Sequence, residues 1–353
     1  MHGCSVGARI SEPAMAFVIH QADSQVVYSS QPYRVRCGIA SNRGSDLDWK
    51  AEITAAADRI RPHVVRTPVV TFDGFGLAYP VEMKLEQIQH TGSFKARGAF
   101  NTLLSNPVPQ AGLVAASGGN HGAAVAFAAR ALGHTAHIFV PEMAGPSKIA
   151  LIEATGAQLS VVQGEYANAL QQARDYEDAS GAMQIHAYDA PATVAGQGTC
   201  MAEWEDQGLQ ADTVLIAVGG GGLIAGALAS LQGARKVVAV EPETSCALNA
   251  AMAAGEPVDV DVSGVAANAL GARRIGSIPF TLAQAHLGAS ITVTDAAITA
   301  AQTALWREMR QLVEPAGATA LAALMSGAYV PEPGERVAVL VCGGNIAPDP
   351  MAG

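Results

Sequence analysis

Short runs that are apolar at every position alternate along this chain with longer stretches whose apolar residues recur at helical spacing. The alternation begins at "SDLDWKAEITAAADRI", where Leu47, Ile53 and Ile60 are the apolar positions of a helix and Ser45 or Asp46 stands where an N-cap belongs. Beyond it "GLVAAS" precedes "AAVAFAARALG", a strand and then a helix over 123–133. "AHIFV" precedes "SKIALIEATG", "TVLIAV" precedes "LIAGALASL", and "KVVAV" follows; near the end "LWREMRQLVEPAGATALAAL" precedes "RVAVLVC". Strands apolar on both faces, set between helices, are those of parallel sheets covered on both sides. The pattern predicts an α/β fold with two open, mostly parallel twisted sheets flanked by helices. Residues 1–45 have no repeated apolar face and read as an N-terminal extension, poorly ordered, with no assigned role.

At 353 residues the chain is too long for one simple core, so two lobes are expected. A formal net charge of -10 argues against a nucleic-acid or anionic-membrane partner, each of which calls for a basic face. Five cysteines (Cys4, Cys37, Cys200, Cys246, Cys342) are scattered without a C-x-x-C pair, which suits a reducing cytoplasm better than a disulfide framework or a zinc site. No apolar run approaches the roughly 20 residues that span a bilayer. His134 and His137 are read as packing, because an H-x-x-H pair lacks the further ligands a zinc ion needs.

Four segments stand where strands give way to helices, the place at which open α/β sheets bind ligands. "VLIAVGGGGLIAG" sets Gly219, Gly220, Gly221 and Gly222 between a strand and a helix, so that backbone amides can approach a phosphate. The same stretch also approximates a dinucleotide fingerprint, Gly220-x-Gly222 with Gly226 beyond and Glu241 at the end of the next strand as ribose carboxylate. "ASGGNHG" offers Ser117, Asn120 and His121 with free amides to a carboxylate or a ring hydroxyl, or else simply caps a helix. "VAVLVCGGN" ends a strand at Cys342, ordinarily a buried inert thiol. "TGSFK" places Lys95 in the first turn of a helix, with Thr91 or Ser93 as cap. There the macrodipole and burial favour the neutral, nucleophilic amine of a Schiff-base enzyme over a surface ammonium.

Together these segments resemble the serine/threonine dehydratases, pyridoxal-phosphate enzymes of the tryptophan-synthase-β fold (fold type II). The resemblance is carried by "KLEQIQHTGSFKARGAFNTL" (84–103), "AASGGNHGAAVAFAARALG" (115–133), "GQGTCMAEW" (196–204), "AVGGGGLIAG" (217–226), "AVEPE" (239–243), "VEPAGATALAAL" (313–324) and "CGGN" (342–345), in the family's order. It implies a large cofactor-binding domain over 46–104 and 187–353 and a small domain over 105–186. Lys95 would be the catalytic lysine that carries pyridoxal 5'-phosphate. Gly219, Gly220, Gly221 and Gly222 would hold the phosphate, Asn120 would meet the ring hydroxyl, Phe94 would flank the ring, and Cys342 would face the pyridine nitrogen. Ser93, Ser117, Asn120 and His121 would bind the substrate carboxylate. The implied reaction is β-elimination from L-threonine or L-serine to a 2-oxo acid and ammonia, by a cytoplasmic homo-oligomer, dimer or tetramer.

Departures from the family pattern sharpen this. Racemases carry serine where Gly118 stands, so racemisation is disfavoured. Metal-binding members add an acidic residue near position 247, here Ala247, so no metal is expected. Cysteine synthases carry threonine at the place of His121, which makes β-replacement a distant alternative. The nicotinamide oxidoreductase reading leaves "TGSFK" and "SGGNHG" without work. The chain ends soon after "CGGN", so feedback through an isoleucine-sensing domain is not expected.

Overall fold

A computed structural model describes residues 47–346 apart from 145 and 165. The extension over 1–45, and with it Ser45 and Asp46 as cap candidates, lies outside those residues. Asp48 caps the first helix instead, accepting from the Ala51 amide at 3.2 Å, and Ile53 and Ile60 are buried on its inner face as the spacing required.

The strands are β1 (Val69–Phe72), β2 (Val81–Leu85), β3 (Leu113–Ala116), β4 (Ala136–Pro141), β5 (Gln158–Val162), β6 (Met183–Gln184), β7 (Thr213–Ala217), β8 (Lys236–Pro242), β9 (Ala289–Val293) and β10 (Val337–Val341). Six of them form one sheet in the order β1-β2-β10-β7-β8-β9, and four form a second in the order β5-β4-β3-β6. All pairings are parallel except β1 with β2. The two mostly parallel sheets bear out the expected fold class. The reason is visible at the sheet centres, where every residue of β3, β7 and β10 is buried.

The helices are α1 (Trp49–Ile60), α2 (Lys95–Ser105), α3 (Asn120–Ala131), α4 (Pro146–Glu153), α5 (Tyr166–Ser180) and α6 (Pro191–Asp206). They continue with α7 (Gly222–Leu231), α8 (Ala247–Ala254), α9 (Ala267–Leu270), α10 (Ser277–His286), α11 (Asp295–Met309) and α12 (Pro315–Met325). Among the described residues none is long and apolar enough to cross a membrane. Helix α6 is the hub that brings the chemistry together. It packs on α2 at Gly196, where a Cβ would lie 2.6 Å from the Arg97 carbonyl, and on α7, where a Cβ at Gly226 would lie 2.7 Å from Gly198 Cα. Backbones approach this closely only where no side chain stands between them. The start of α2, with Lys95, and the start of α7, with the glycine turn, are thereby held against one helix.

A buried ionic cluster fixes α2 further. Arg97, 1% exposed, forks onto Glu86 through Nε to Oε2 at 2.9 Å and Nη2 to Oε1 at 2.7 Å, and reaches Glu203 of α6 at 2.9 and 3.1 Å. Lys84 donates to Glu203, to Gln207 and to the Thr67 carbonyl. Two cations and two carboxylates balance, which is what lets charges sit inside the protein.

Candidate active site

The three loops singled out in the sequence leave the carboxyl ends of β3, β7 and β10, central strands of the two sheets, and Lys95 enters between them. Helix α2 begins at Lys95 with Phe94 as N-cap and no side-chain cap bond. This corrects the assignment of Thr91 or Ser93 as cap. Ser93 is extended and bridges to Gly343 while the Phe94 amide donates to the Cys342 carbonyl. The hydroxyls of Thr91 and Ser93 are buried and have no hydrogen-bond partner among the described residues. Lys95 is thus stitched to the end of β10.

The Lys95 amine donates to the Ala187 carbonyl at 2.8 Å and lies 5.1 Å from the centre of the Phe94 ring. Burial brings its pKa down to about 8, with Cys342 and Glu314 pulling partly the other way. An amine so placed is a far better nucleophile at neutral pH than a surface lysine. The residue after its resting carbonyl, Tyr188, lies across the glycine turn: a Cβ at Gly220 would overlap its ring, and one at Gly222 would lie 2.9 Å from its Cα. The carbonyl that holds Lys95 and the residue that roofs the turn are therefore chain neighbours. Burial pushes the Tyr188 phenol up to about 12. Gln197 of α6 links the two, its Nε2 donating to the Ala187 carbonyl at 3.2 Å and its Oε1 standing where a Gly222 Cβ would be.

The turn itself needs glycine for two reasons. Gly221 has φ +93, which side chains rarely adopt, and a Cβ at Gly219 would lie 2.9 Å from Leu270 Cα. The first-turn amides of α7 have no acceptor within the helix and point outward with the positive end of its dipole. The dinucleotide alternative fails on Glu241. That carboxylate is fully buried and accepts from the Leu248 and Asn249 amides at 2.8 and 2.7 Å, capping α8, so it cannot reach a ribose; burial raises its pKa to about 7.

The "SGGNHG" helix starts at Asn120, three residues earlier than the apolar pattern indicated. Gly119 caps it without a side chain, and the Ser117 hydroxyl accepts from the Gly119 amide at 3.2 Å. The amides of α3's first turn are therefore available to an anion. The His121 ring is not: Nε2 donates to the Ile185 carbonyl at 2.9 Å, and burial, then the Lys95 charge, lowers its pKa to about 3. What His121 leaves available to an anion is its backbone amide in the first turn of α3. At Gly118 a Cβ would overlap that of Ala144 and come within 3.2 Å of Val140 Cγ1, which leaves no room for a serine on that face.

Cys342 is buried, its thiol 3.3 Å from the Ala316 carbonyl and its pKa raised well above the usual range by burial and by Glu314. The sequence reading passed over Glu314, Asn345, Gln197 and Tyr188. The first three lay in quoted motifs, but only tertiary contacts give them partners. His137 stacks 4.4 Å from Phe139 and bonds to Ser160, ordinary packing as expected.

Sequence comparison matches residues 60–343 to the family described as pyridoxal-phosphate dependent enzyme. The phenylserine dehydratase of Ralstonia pickettii is 34% identical over 81% of this chain and 90% of its own length. The L-threonine ammonia-lyase of Geobacter sulfurreducens is 32% identical over 83% and 75%. Among solved structures, the threonine deaminase of T.th. superposes with a TM-score of 0.78 at 33% identity, covering 84% of this chain and 98% of that one. Maize serine racemase reaches 0.80 at 29% identity, covering 84% and 93%. The residues here fit such a cofactor: a turn that tolerates no Cβ, free helix amides for a phosphate, a buried amine with a lowered pKa, and orphaned hydroxyls at Thr91 and Ser93.

Proposed function

The chain belongs to the pyridoxal-phosphate dependent enzymes, uses pyridoxal 5'-phosphate as cofactor and is a lyase of the dehydratase type, and we propose that it removes water from L-threonine or L-serine, releasing a 2-oxo acid and ammonia. The observation that carries this reading is the buried Lys95 amine, held on the Ala187 carbonyl between the glycine turn and the Asn120 loop. When bound, pyridoxal phosphate supplies an aldehyde that condenses with amines and a ring that draws electrons from the α-carbon. The backbone of Gly219 to Gly222 and the α7 amides would hold its phosphate, Phe94 would flank its ring, and Asn120 would donate to its hydroxyl. Cys342 would stand toward the ring nitrogen. A neutral thiol there cannot impose a proton as a carboxylate would, and this weaker electron demand suits quick loss of a β-hydroxyl.

Ser93, Ser117 and the first-turn amides of α3 hold the substrate carboxylate, which the dipole of α3 favours. Lys95 Nζ, neutral in a substantial fraction near pH 8, takes the α-proton as general base. The carbon–oxygen bond at the β-position then breaks, the hydroxyl taking up a proton to leave as water, and the enamine released takes up water to give oxo acid and ammonia. Gly118 offers no second acid or base on the opposite face, which speaks against the activity named for the serine racemases that share the fold. We place the enzyme in the cytoplasm as a homo-oligomer, dimer or tetramer; the free thiols of Cys200, Cys246 and Cys342 support a reducing compartment.

Purified enzyme is to be offered L-threonine, L-serine, phenylserine and β-hydroxyaspartate, with oxo acid and ammonia measured. Release from threonine or serine above the other two supports the reading, and release from phenylserine alone replaces it with an aryl-substrate enzyme. Lys95→Ala should abolish both turnover and the visible absorbance of lysine-bound cofactor.

A further inference from the structure

One buried acid beside the site has no part in the reaction described. Glu314, 2% exposed, directly precedes α12, and its carboxylate accepts a close hydrogen bond from Asn120 Nδ2. On the other side of the same amide, Asn120 Oδ1 accepts from Asn345 Nδ2 at 2.8 Å. Asn345 Nδ2 also donates to the Thr91 carbonyl at 2.7 Å. The backbone reinforces the arrangement, since the Glu314 amide donates to the Gly343 carbonyl at 3.3 Å and a Cβ at Gly343 would overlap Glu314 Oε1.

We infer that Glu314 and Asn345 are positioning residues that together fix which way round the Asn120 amide stands. A carboxamide has a donor end and an acceptor end of nearly equal size, so shape alone does not orient it. Here a carboxylate that accepts stands at one end, and an amide nitrogen that donates stands at the other. Reversal would set Asn120 Oδ1 against the Glu314 carboxylate and Asn120 Nδ2 against Asn345 Nδ2, a repulsion at each end. Asn345 cannot simply turn to suit, because its donor is also claimed by a main-chain carbonyl. The chain of bonds is thus anchored at both ends, by Thr91 O and by Glu314. Of the two N–H groups on Asn120 Nδ2, one is committed to Glu314, which leaves the other for a ligand. The ligand for that second N–H, the cofactor's ring hydroxyl, rests on the function proposed above; the hydrogen bonds that orient the amide do not.

The test uses the full chain loaded with pyridoxal phosphate, carrying Glu314→Gln, Asn345→Ala, or both, each with Asn120 intact and with Asn120→Ala. Glutamine at 314 presents either end to Asn120, and alanine at 345 removes the donor, so each change alone removes one of the two repulsions that hold the amide's orientation, and the pair removes both. Each should weaken cofactor binding and the double variant should weaken it most, with about tenfold, the scale of the one hydrogen bond that Asn120 donates, as the ceiling. The double variant should thus lose no more than Asn120→Ala does, and neither change should matter once Asn120 is alanine. Losses that multiply to about a hundredfold, or that persist undiminished beside Asn120→Ala, overturn the inference. A second readout needs no cofactor: the side-chain amide resonances of Asn120 should move in both single variants, and resonances unchanged in both would also overturn it. A protein that binds no pyridoxal phosphate defeats the proposed function while the amide resonances still decide the relay. Should Asn345→Ala not fold, Asn345→Ser retains a donor, and its amide resonances should lie between those of wild type and Glu314→Gln; resonances identical to wild type in both Asn345→Ser and Glu314→Gln overturn the inference.

Discussion

Replacing Lys95 by methionine should make the cofactor-free protein more stable while destroying its chemistry. The amine titrates at 10.5 when unfolded and at about 8 when folded, so the charged form costs the folded state about 3 kcal/mol. The sign follows from proton counting. Below pH 8 both states hold the proton and the cost is fully present. Between 8 and 10.5 the unfolded chain holds more protons, so stability rises with pH, and at about pH 9.5 the cost has shrunk to less than half. Methionine keeps the stem and removes the charge. It also removes the bond to the Ala187 carbonyl, worth about 1 kcal/mol, but Gln197 still donates to that oxygen at 3.2 Å. The net expectation is a gain of about 2 kcal/mol near pH 7, or a melting temperature about 3–6 °C higher, with most of the gain gone at about pH 9.5. Thermal melts of both cofactor-free proteins at the two pH values measure this. A variant that melts no higher than wild type near pH 7, or a difference that does not shrink at the higher pH, would refute the claim that this amine is held at a cost for its reactivity.

The other expectations follow from the same geometry. Gly222→Ala drives a Cβ into Gln197 Oε1 and against Tyr188, and should weaken pyridoxal phosphate binding about five- to 150-fold if the overpacking of about 1–3 kcal/mol falls on the bound turn; fluorescence titration reads it. Gly118→Ser, the change that racemases suggest, meets the Ala144 side chain. It should lower the melting temperature without yielding D-serine on chiral chromatography. Arg97→Met strips a fork from Glu86 and Glu203, leaves buried carboxylates uncompensated, and should cost about 3–5 kcal/mol in denaturant unfolding. Glu241 has the sign opposite to a salt-bridged acid: its pKa rises on folding from 4.5 to about 7, so stability falls as pH climbs through that range. Glu241→Gln should flatten that slope in melts across the same interval.

The class of fold and the location of the chemistry were legible in the order of residues. Strands buried on both faces have no polar position to spare, so "TVLIA" and "VAVLV" announce parallel sheet wherever they fall. Glycine runs after such strands, and a lysine among small residues, mark candidate ligand contacts through local steric freedom. The cap assignment failed at Thr91 and Ser93 because a cap depends on backbone angles, which a neighbouring strand can override. At Ser93 the end of β10 holds the residue extended, and Asp48 caps α1. The alternative use of Glu241 could be closed only when α8 was seen to sit on its carboxylate. The partner of the His121 ring is the Ile185 carbonyl, 64 positions away in sequence, which no local pattern could name. Glu314, Asn120 and Asn345 are ordinary polar residues in three separate segments; packing of α12 and the β10 loop against the start of α3 makes them one network. Periodicity and composition record which residues are apolar and which turns are tight. Hydrogen-bond partners far apart in the chain are chosen by how helices stack, and no local pattern carries that choice.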